Sequence, residues 1–132
     1  MTAPPRDPAR RAGPAGTPRR AAAAVCLVEA LVMAGFALFY VLEMVRGEGS
    51  DRMRVLTSAI LIAVFAVAVG ALARLWLGRS DWPVTPTIVW HVLLVPVAVA
   101  MAQSGQVLVA VLLGAAVVAG VATALAAART AA

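Results

Sequence analysis

Four long apolar runs, separated by short polar stretches, form the main pattern of this chain. They cover residues 21–45, 53–77, 84–102 and 107–128. About 17 to 25 apolar residues suffice for a helix to cross the ~30 Å hydrocarbon core of a bilayer, and each run has such a length. The pattern therefore predicts an all-α membrane protein, a four-transmembrane-helix antiparallel bundle over residues 21–128.

The two ends of the chain differ from this bundle. Residues 1–20 are rich in proline and hold five arginines against a single acid, Asp7. A segment of this composition buries too little apolar surface to offset its ordering entropy. We predict a disordered, Arg/Pro-rich cytoplasmic tail at residues 1–20 and a short cytoplasmic C-terminus at residues 129–132.

The composition agrees with a lipid environment. Hydrophobic residues make up 63% of the chain and charged residues 13%, whereas soluble domains are roughly half apolar and a quarter charged. The net charge of +5 arises from 11 arginines, which lie in the tail and beside the spans. Anionic lipid headgroups, rather than nucleic acid, are therefore the expected partner of the tail. Association with a second copy or with another membrane protein is also compatible with the pattern.

The distribution of arginines predicts the orientation. With the N-terminus in the cytoplasm, eight arginines lie inside and three outside. The inner set is the five tail arginines with Arg74, Arg79 and Arg129, and the outer set is Arg46, Arg52 and Arg54. The positive-inside rule then places both termini in the cytoplasm.

The first candidate site residue is Glu29, an acid inside the first span. A charge at the centre of a membrane helix costs ~2.5–3.5 kcal/mol or more. Arg74 in the second span and His91 in the third lie at similar depths from the same face, so we predict an intramembrane polar cluster of these three residues. Three interpretations stay open: a structural clamp between helices, a proton-coupled or cation-binding site, or a protonated Glu29 bonded to backbone or hydroxyl groups.

A stripe along the first span extends this candidate site. Its members are spaced by three and four residues: Cys26, Glu29, Met33, Phe36, Tyr40 and Glu43. Residues with this spacing share one helical face. The stripe is therefore predicted to face protein or water, with Tyr40 and Glu43 as secondary candidates.

Two further features concern the surface and packing of the spans. The tryptophans cluster around the second loop, at Trp76, Trp82 and Trp90, and predict an aromatic belt at one membrane face. Pairs of small residues four apart permit close helix approach in membranes. They include Ala66 with Gly70, Ala110 with Gly114, and Gly120 with both Ala116 and Ala124.

The sequence lacks the motifs that carry familiar chemistry. It contains no Walker loop, no GxSxG, no HExxH and no CxxC, and it has one histidine and one cysteine. We therefore expect no enzymatic activity, no catalytic residues, no metal site and no cofactor. The single cysteine, Cys26, is expected to be a buried, inert thiol.

The stretch from Ala73 to Gln106 carries a family resemblance. An Arg/Trp loop leads into a span with Pro83-Val84, Val89, Leu93-Leu94 and Pro96-Val97-Ala98, followed by a turn that contains Gln103. This arrangement resembles small four-span integral membrane proteins of high-GC Gram-positive bacteria. The resemblance covers about a quarter of the chain plus the layout of the spans. It implies a multi-pass fold in a bacterial plasma membrane, without an established activity.

A second comparison bears on Glu29. Small multidrug-resistance exporters also have four spans and a glutamate in the first helix, which couples protons to cations. This chain departs from that pattern in its Arg/Pro-rich tail, in the lack of the aromatic-glycine motif in span three, and in Pro96 at mid-helix. We therefore expect a structural, accessory or regulatory membrane component, with a small proton-coupled transporter or exporter using Glu29 as the alternative.

Overall fold

The computed structural model describes residues 16–47, 51–78 and 80–131, which form four α-helices. They are α1 (Thr17–Arg46), α2 (Arg52–Trp76), α3 (Val84–Gln103) and α4 (Val107–Ala131). All four are long and apolar enough to cross a membrane. The predicted all-α, four-span architecture is confirmed, and each predicted span corresponds to one helix.

The start of α1 corrects one predicted boundary. The helix begins at Thr17, so residues 17–20 of the predicted tail are helical. Pro18 lies in the first turn, where its missing N–H removes no intrahelical hydrogen bond. Residues 1–15 of the predicted disordered tail lie outside the described residues, as does Ala132 at the C-terminus.

Turn chemistry fixes the ends of the helices. α1 is capped after Arg46 by Gly47, whose φ of 75° is left-handed and whose N–H donates to the carbonyls of Glu43 and Met44. α2 begins after Asp51, whose side chain accepts a hydrogen bond of 3.1 Å from the N–H of Arg54. Between α3 and α4, Gly105 has a φ of 81° and closes a turn too short for anything but an antiparallel hairpin.

Two antiparallel hairpins make up the bundle. α1 packs on α2 and α3 packs on α4, and α1 also contacts α4. We call the end where α1 and α3 begin and α2 and α4 end the terminal end, and the opposite end, with the turns at Gly47 and Gly105, the hairpin end. The main buried cluster lies toward the terminal end. It consists of Ala22, Ala23, Cys26 and Ala30 of α1, Val69, Ala73 and Trp76 of α2, and Ala124 and Ala127 of α4.

Small residues bring the helices close together in this cluster. A Cβ placed on Gly70 of α2 would lie 3.7 Å from the Cβ of Ala30 on α1, an ordinary contact distance. Gly114 of α4, in contrast, has open space where its side chain would be. The predicted small-residue pairs thus differ, because only some of them face a neighbouring helix.

The outer surface of the bundle is apolar. Large side chains such as Leu31, Phe39, Val67 and Val118 are more than half exposed. Contiguous apolar surface on this scale is unfavourable in water and normal against lipid. The hydrocarbon core of a membrane is the environment that this surface fits.

We therefore predict that the protein stays with the membrane pellet after washing with alkaline carbonate and is released by detergent. Carbonate removes proteins that are bound only at the membrane surface. A protein with four spans stays in the bilayer, because its apolar side chains are buried in the hydrocarbon core. The measurement is an immunoblot of pellet and supernatant. Recovery in the detergent-free supernatant would contradict the four-span architecture.

Candidate functional site

Glu29 of α1 and His91 of α3 meet inside the bundle. Oε1 of Glu29 lies 3.0 Å from Nε2 of His91, and the exposed fractions of the two side chains are 13% and 0%. Glu29 is 12 residues into α1 and His91 is 7 residues into α3, or about 18 Å and 10 Å along the helices at 1.5 Å per residue. The structure thus brings together two of the three residues of the predicted cluster, and we call them the Glu29–His91 pair.

Trp90 completes the environment of the carboxyl group. Its indole Nε1–H donates a 3.0 Å hydrogen bond to Oε2 of Glu29, while its ring packs on Phe65 of α2 with the centroids 5.4 Å apart. Trp90 therefore links α3 to both α1 and α2. Sequence reasoning assigned it to the aromatic belt. Two features of the sequence could have indicated this role: Trp90 is next to His91, and a buried indole N–H needs an acceptor.

A backbone carbonyl orients the imidazole. Nδ1 of His91 lies 2.7 Å from the carbonyl oxygen of Thr87, one turn earlier on α3. A carbonyl oxygen accepts only, so Nδ1 carries a hydrogen and donates it. The hydroxyl oxygen of the buried Thr87 in turn accepts a 3.0 Å hydrogen bond from the indole Nε1–H of Trp76 on α2. The ring of His91 is thereby held on the side facing Glu29.

Gly120 of α4 makes room for the imidazole. A Cβ built at this position would overlap the ring of His91, at Nε2, Cδ2 and Cε1. Only glycine leaves space for a full ring between α3 and α4 at this depth. The predicted close approach at Gly120 is therefore the means by which α4 holds the site together.

A second polar network closes the terminal end, and we call it the Arg19 network. The guanidinium of Arg19 forms a 2.8 Å ion pair with Asp81. It also donates to the carbonyls of Trp76, Gly78 and Ser80, and its Cζ lies 5.5 Å from the centroid of the Trp76 ring. It thus satisfies carbonyls at the C-terminal end of α2 that have no intrahelical donor. Sequence reasoning missed this role because it assigned Arg19 to the tail.

Arg74 lies outside the site, which corrects the predicted three-residue cluster. Its side chain is exposed and takes part in none of the side-chain hydrogen bonds or ion pairs found among the described residues. The reason is helical phase: Ala73 and Trp76 occupy the inward face of α2, and Arg74 is rotated from Ala73 by about 100°. The cation that contacts the end of α2 is Arg19 instead.

The secondary candidates are remote from the Glu29–His91 pair. Tyr40 and Glu43 follow Glu29 by 11 and 14 residues on α1, or about 16 Å and 21 Å along the axis. Both are half-buried, and Tyr40 packs edge-on against Phe39 with the ring centroids 6.0 Å apart. Between them and Glu29, Phe36 is 56% exposed, so the predicted stripe does not face the interior along its whole length.

Two of the three tryptophans assigned to the predicted aromatic belt point into the protein. Trp82 is 65% exposed, whereas Trp76 is fully buried and Trp90 is partly buried against Glu29. Trp76 and Trp90 use their indole N–H groups inside the protein instead of at the headgroups. Among the described residues, no three acidic, histidine or cysteine side chains are grouped so that they could hold a metal ion.

The fold and the site together define a multi-pass helical membrane protein with an internal polar contact between spans. The chain matches no protein-family model, no curated protein sequence and no solved structure.

We predict that Gly120→Ala destabilises the protein by about 1–3 kcal/mol, because the new methyl group must displace the imidazole of His91 from a packed contact. SDS-induced unfolding in mixed micelles measures this. Gly114→Ala is the matched control on the same helix, since its methyl group enters open space. Equal effects of the two substitutions would contradict the assigned role of Gly120.

We also predict coupling between Glu29 and His91. His91→Ala alone should cost about 1–3 kcal/mol, since it leaves a carboxyl group without its partner in a water-poor site. The double variant Glu29→Ala/His91→Ala should cost less than the sum of the single variants, because it removes both polar groups. The same unfolding assay provides the cycle, and additive costs would mean that the pair makes no energetic contact.

Proposed function

We propose that this protein is a structural or accessory component of the bacterial plasma membrane, with four spans held in register by the Glu29–His91 pair. The observation that carries the proposal is the bonding of the pair. Both carboxyl oxygens and both ring nitrogens have partners within the protein: Trp90 Nε1, the Thr87 carbonyl, and each other. Polar groups bonded in this way fix the relative position of membrane helices, where apolar contacts alone discriminate weakly.

The type of hydrogen bond supports a structural contact between helices over a path for protons or cations. The Nδ1–H of His91 ends on a backbone carbonyl, and the N–H of Trp90 belongs to an indole, which does not exchange protons under ordinary conditions. Neither bond passes a proton onward. A bound cation would also have to displace one of these partners before it reached Glu29.

The arginines support a cytoplasmic location for the terminal end. Arg20, Arg74 and Arg129 are exposed, and all three lie on α1, α2 or α4 close to that end. Guanidinium groups at this level reach anionic lipid headgroups while their stems stay along the apolar surface. Together with the excess of arginine on this side of the sequence, they favour cytoplasmic termini.

A small proton-coupled transporter using Glu29 is the second candidate function. The observation that favours it is an acid within a span, 3.0 Å from the only histidine of the chain. Intramembrane acids and histidines form the proton relays of many transporters. In this case the substrate, whether protons alone or a lipophilic cation, would depend on Glu29.

Two measurements separate these functions. For an accessory component, purification from native membranes in mild detergent should yield a stoichiometric complex, either with another membrane protein or with a second copy. The purified protein in liposomes should then move neither protons nor a lipophilic cation above the level of empty vesicles. Flux that is lost in Glu29→Gln and retained in Glu43→Gln, a matched change on the same helix, would instead establish the transporter.

A further inference from the structure

The hydrogen bonds around His91 determine how many hydrogens its ring carries. Nδ1 faces the carbonyl of Thr87 at 2.7 Å and must donate. A neutral imidazole has one ring hydrogen, so with Nδ1 protonated its Nε2 is an acceptor. Nε2 is a donor only if the ring is an imidazolium. Whether Nε2 carries a hydrogen therefore depends on whether the atom it faces, Oε1 of Glu29, carries one.

The carboxyl group is constrained in the same way. Oε2 of Glu29 faces an indole N–H, which only donates, so Oε2 accepts. Among the described residues Oε2 has no acceptor for a hydrogen of its own, so we assign it none. Oε1 faces Nε2 at 3.0 Å, a hydrogen-bond distance that requires one hydrogen between the two atoms. That hydrogen belongs either to a neutral carboxylic acid or to an imidazolium. Both arrangements contain one shared proton and no net charge.

We propose that the Glu29–His91 pair is a single-proton site, and that α1 and α3 are locked together only while it holds that proton. The proposal rests on the proposed clamp function and adds its regulation. Loss of the proton places a carboxylate oxygen against the lone pair of Nε2 and leaves one negative charge in a site of low dielectric constant. Both changes favour separation of the helices.

The neighbours of the pair do not compensate for such a charge. On α1 the nearest titratable group is the buried thiol of Cys26, one turn toward the terminal end. α2 contributes Trp76 and Phe65, α3 contributes Thr87 and Trp90, and α4 contributes Gly120, none of which is a charged residue. The cation of the Arg19 network is already paired with Asp81. Among the described residues, the shared proton is thus what keeps the site neutral.

Glu29→Gln provides a test because glutamine mimics the protonated acid. Its amide N–H can donate to Nε2 of His91, and its amide oxygen can accept from Trp90, with no proton to lose. We compare the melting temperatures of the wild type and Glu29→Gln in detergent over a series of rising pH values. Once the pH is high enough for the wild type to lose the shared proton, we expect its melting temperature to fall several degrees below that of Glu29→Gln. Glu43→Gln, which removes a carboxyl group at the other end of α1, should follow the wild type. Parallel curves for the wild type and Glu29→Gln would overturn the proposal.

A spectroscopic count of hydrogens keeps the proposal testable if Glu29→Gln does not fold. His91 is the only histidine, so its 15N NMR signals are assigned without ambiguity. Near neutral pH we expect a hydrogen on Nδ1 together with either a hydrogen on Nε2 or an infrared carboxylic acid band from Glu29. An ionised Glu29 beside a singly protonated ring would overturn the single-proton site. Glu29-dependent flux in liposomes would overturn the accessory function and leave this hydrogen count intact, so the two failures are distinguishable.

Discussion

A carboxyl group inside a bilayer must be bonded or neutral, and this requirement shapes the bundle around Glu29. Hydrocarbon offers no hydrogen bonds, so the partners must come from neighbouring helices. His91 and Trp90 of α3 provide them. The approach of His91 in turn requires a position without a side chain on α4, which Gly120 supplies. One acid on α1 thereby constrains the rotation of two other helices.

Apolar packing alone would not impose such constraints. The buried cluster is made mostly of alanine, whose small side chain packs against many neighbours with little preference for register. The Glu29–His91 pair and the Arg19 network add directional bonds at two depths of the terminal half. Because these bonds and the main buried cluster lie toward that end, we infer that it is the more stable half of the bundle.

The same bonds connect structure to the function we propose. A site in which each polar atom bonds to another residue of the protein is suited to holding helices together. Because the site depends on a single shared proton, a change in pH can also alter the contact between α1 and α3. Stability and regulation would then depend on the same two side chains, on α1 and α3.

The sequence by itself determined the number, the length and the approximate limits of the helices. The thickness of a bilayer sets the length of a span, and hydrophobicity can be read from the chain residue by residue. Counting along each span also predicted that Glu29 and His91 lie at similar depths from the same membrane face. The structure places these two residues in contact, about 18 Å and 10 Å along their helices.

Only the tertiary structure decided which residues face one another around the helix axes. A span that is apolar on every side contains little information about the rotation of the helix around its own axis. Arg74 was therefore expected to face the interior of the bundle, but it is exposed. Trp76 was expected at the surface, but it is buried. Arg19, Trp90 and Gly120 acquired their roles from neighbours far away in the sequence. Rotation depends on contacts between helices, and a pattern within a single span does not specify those contacts.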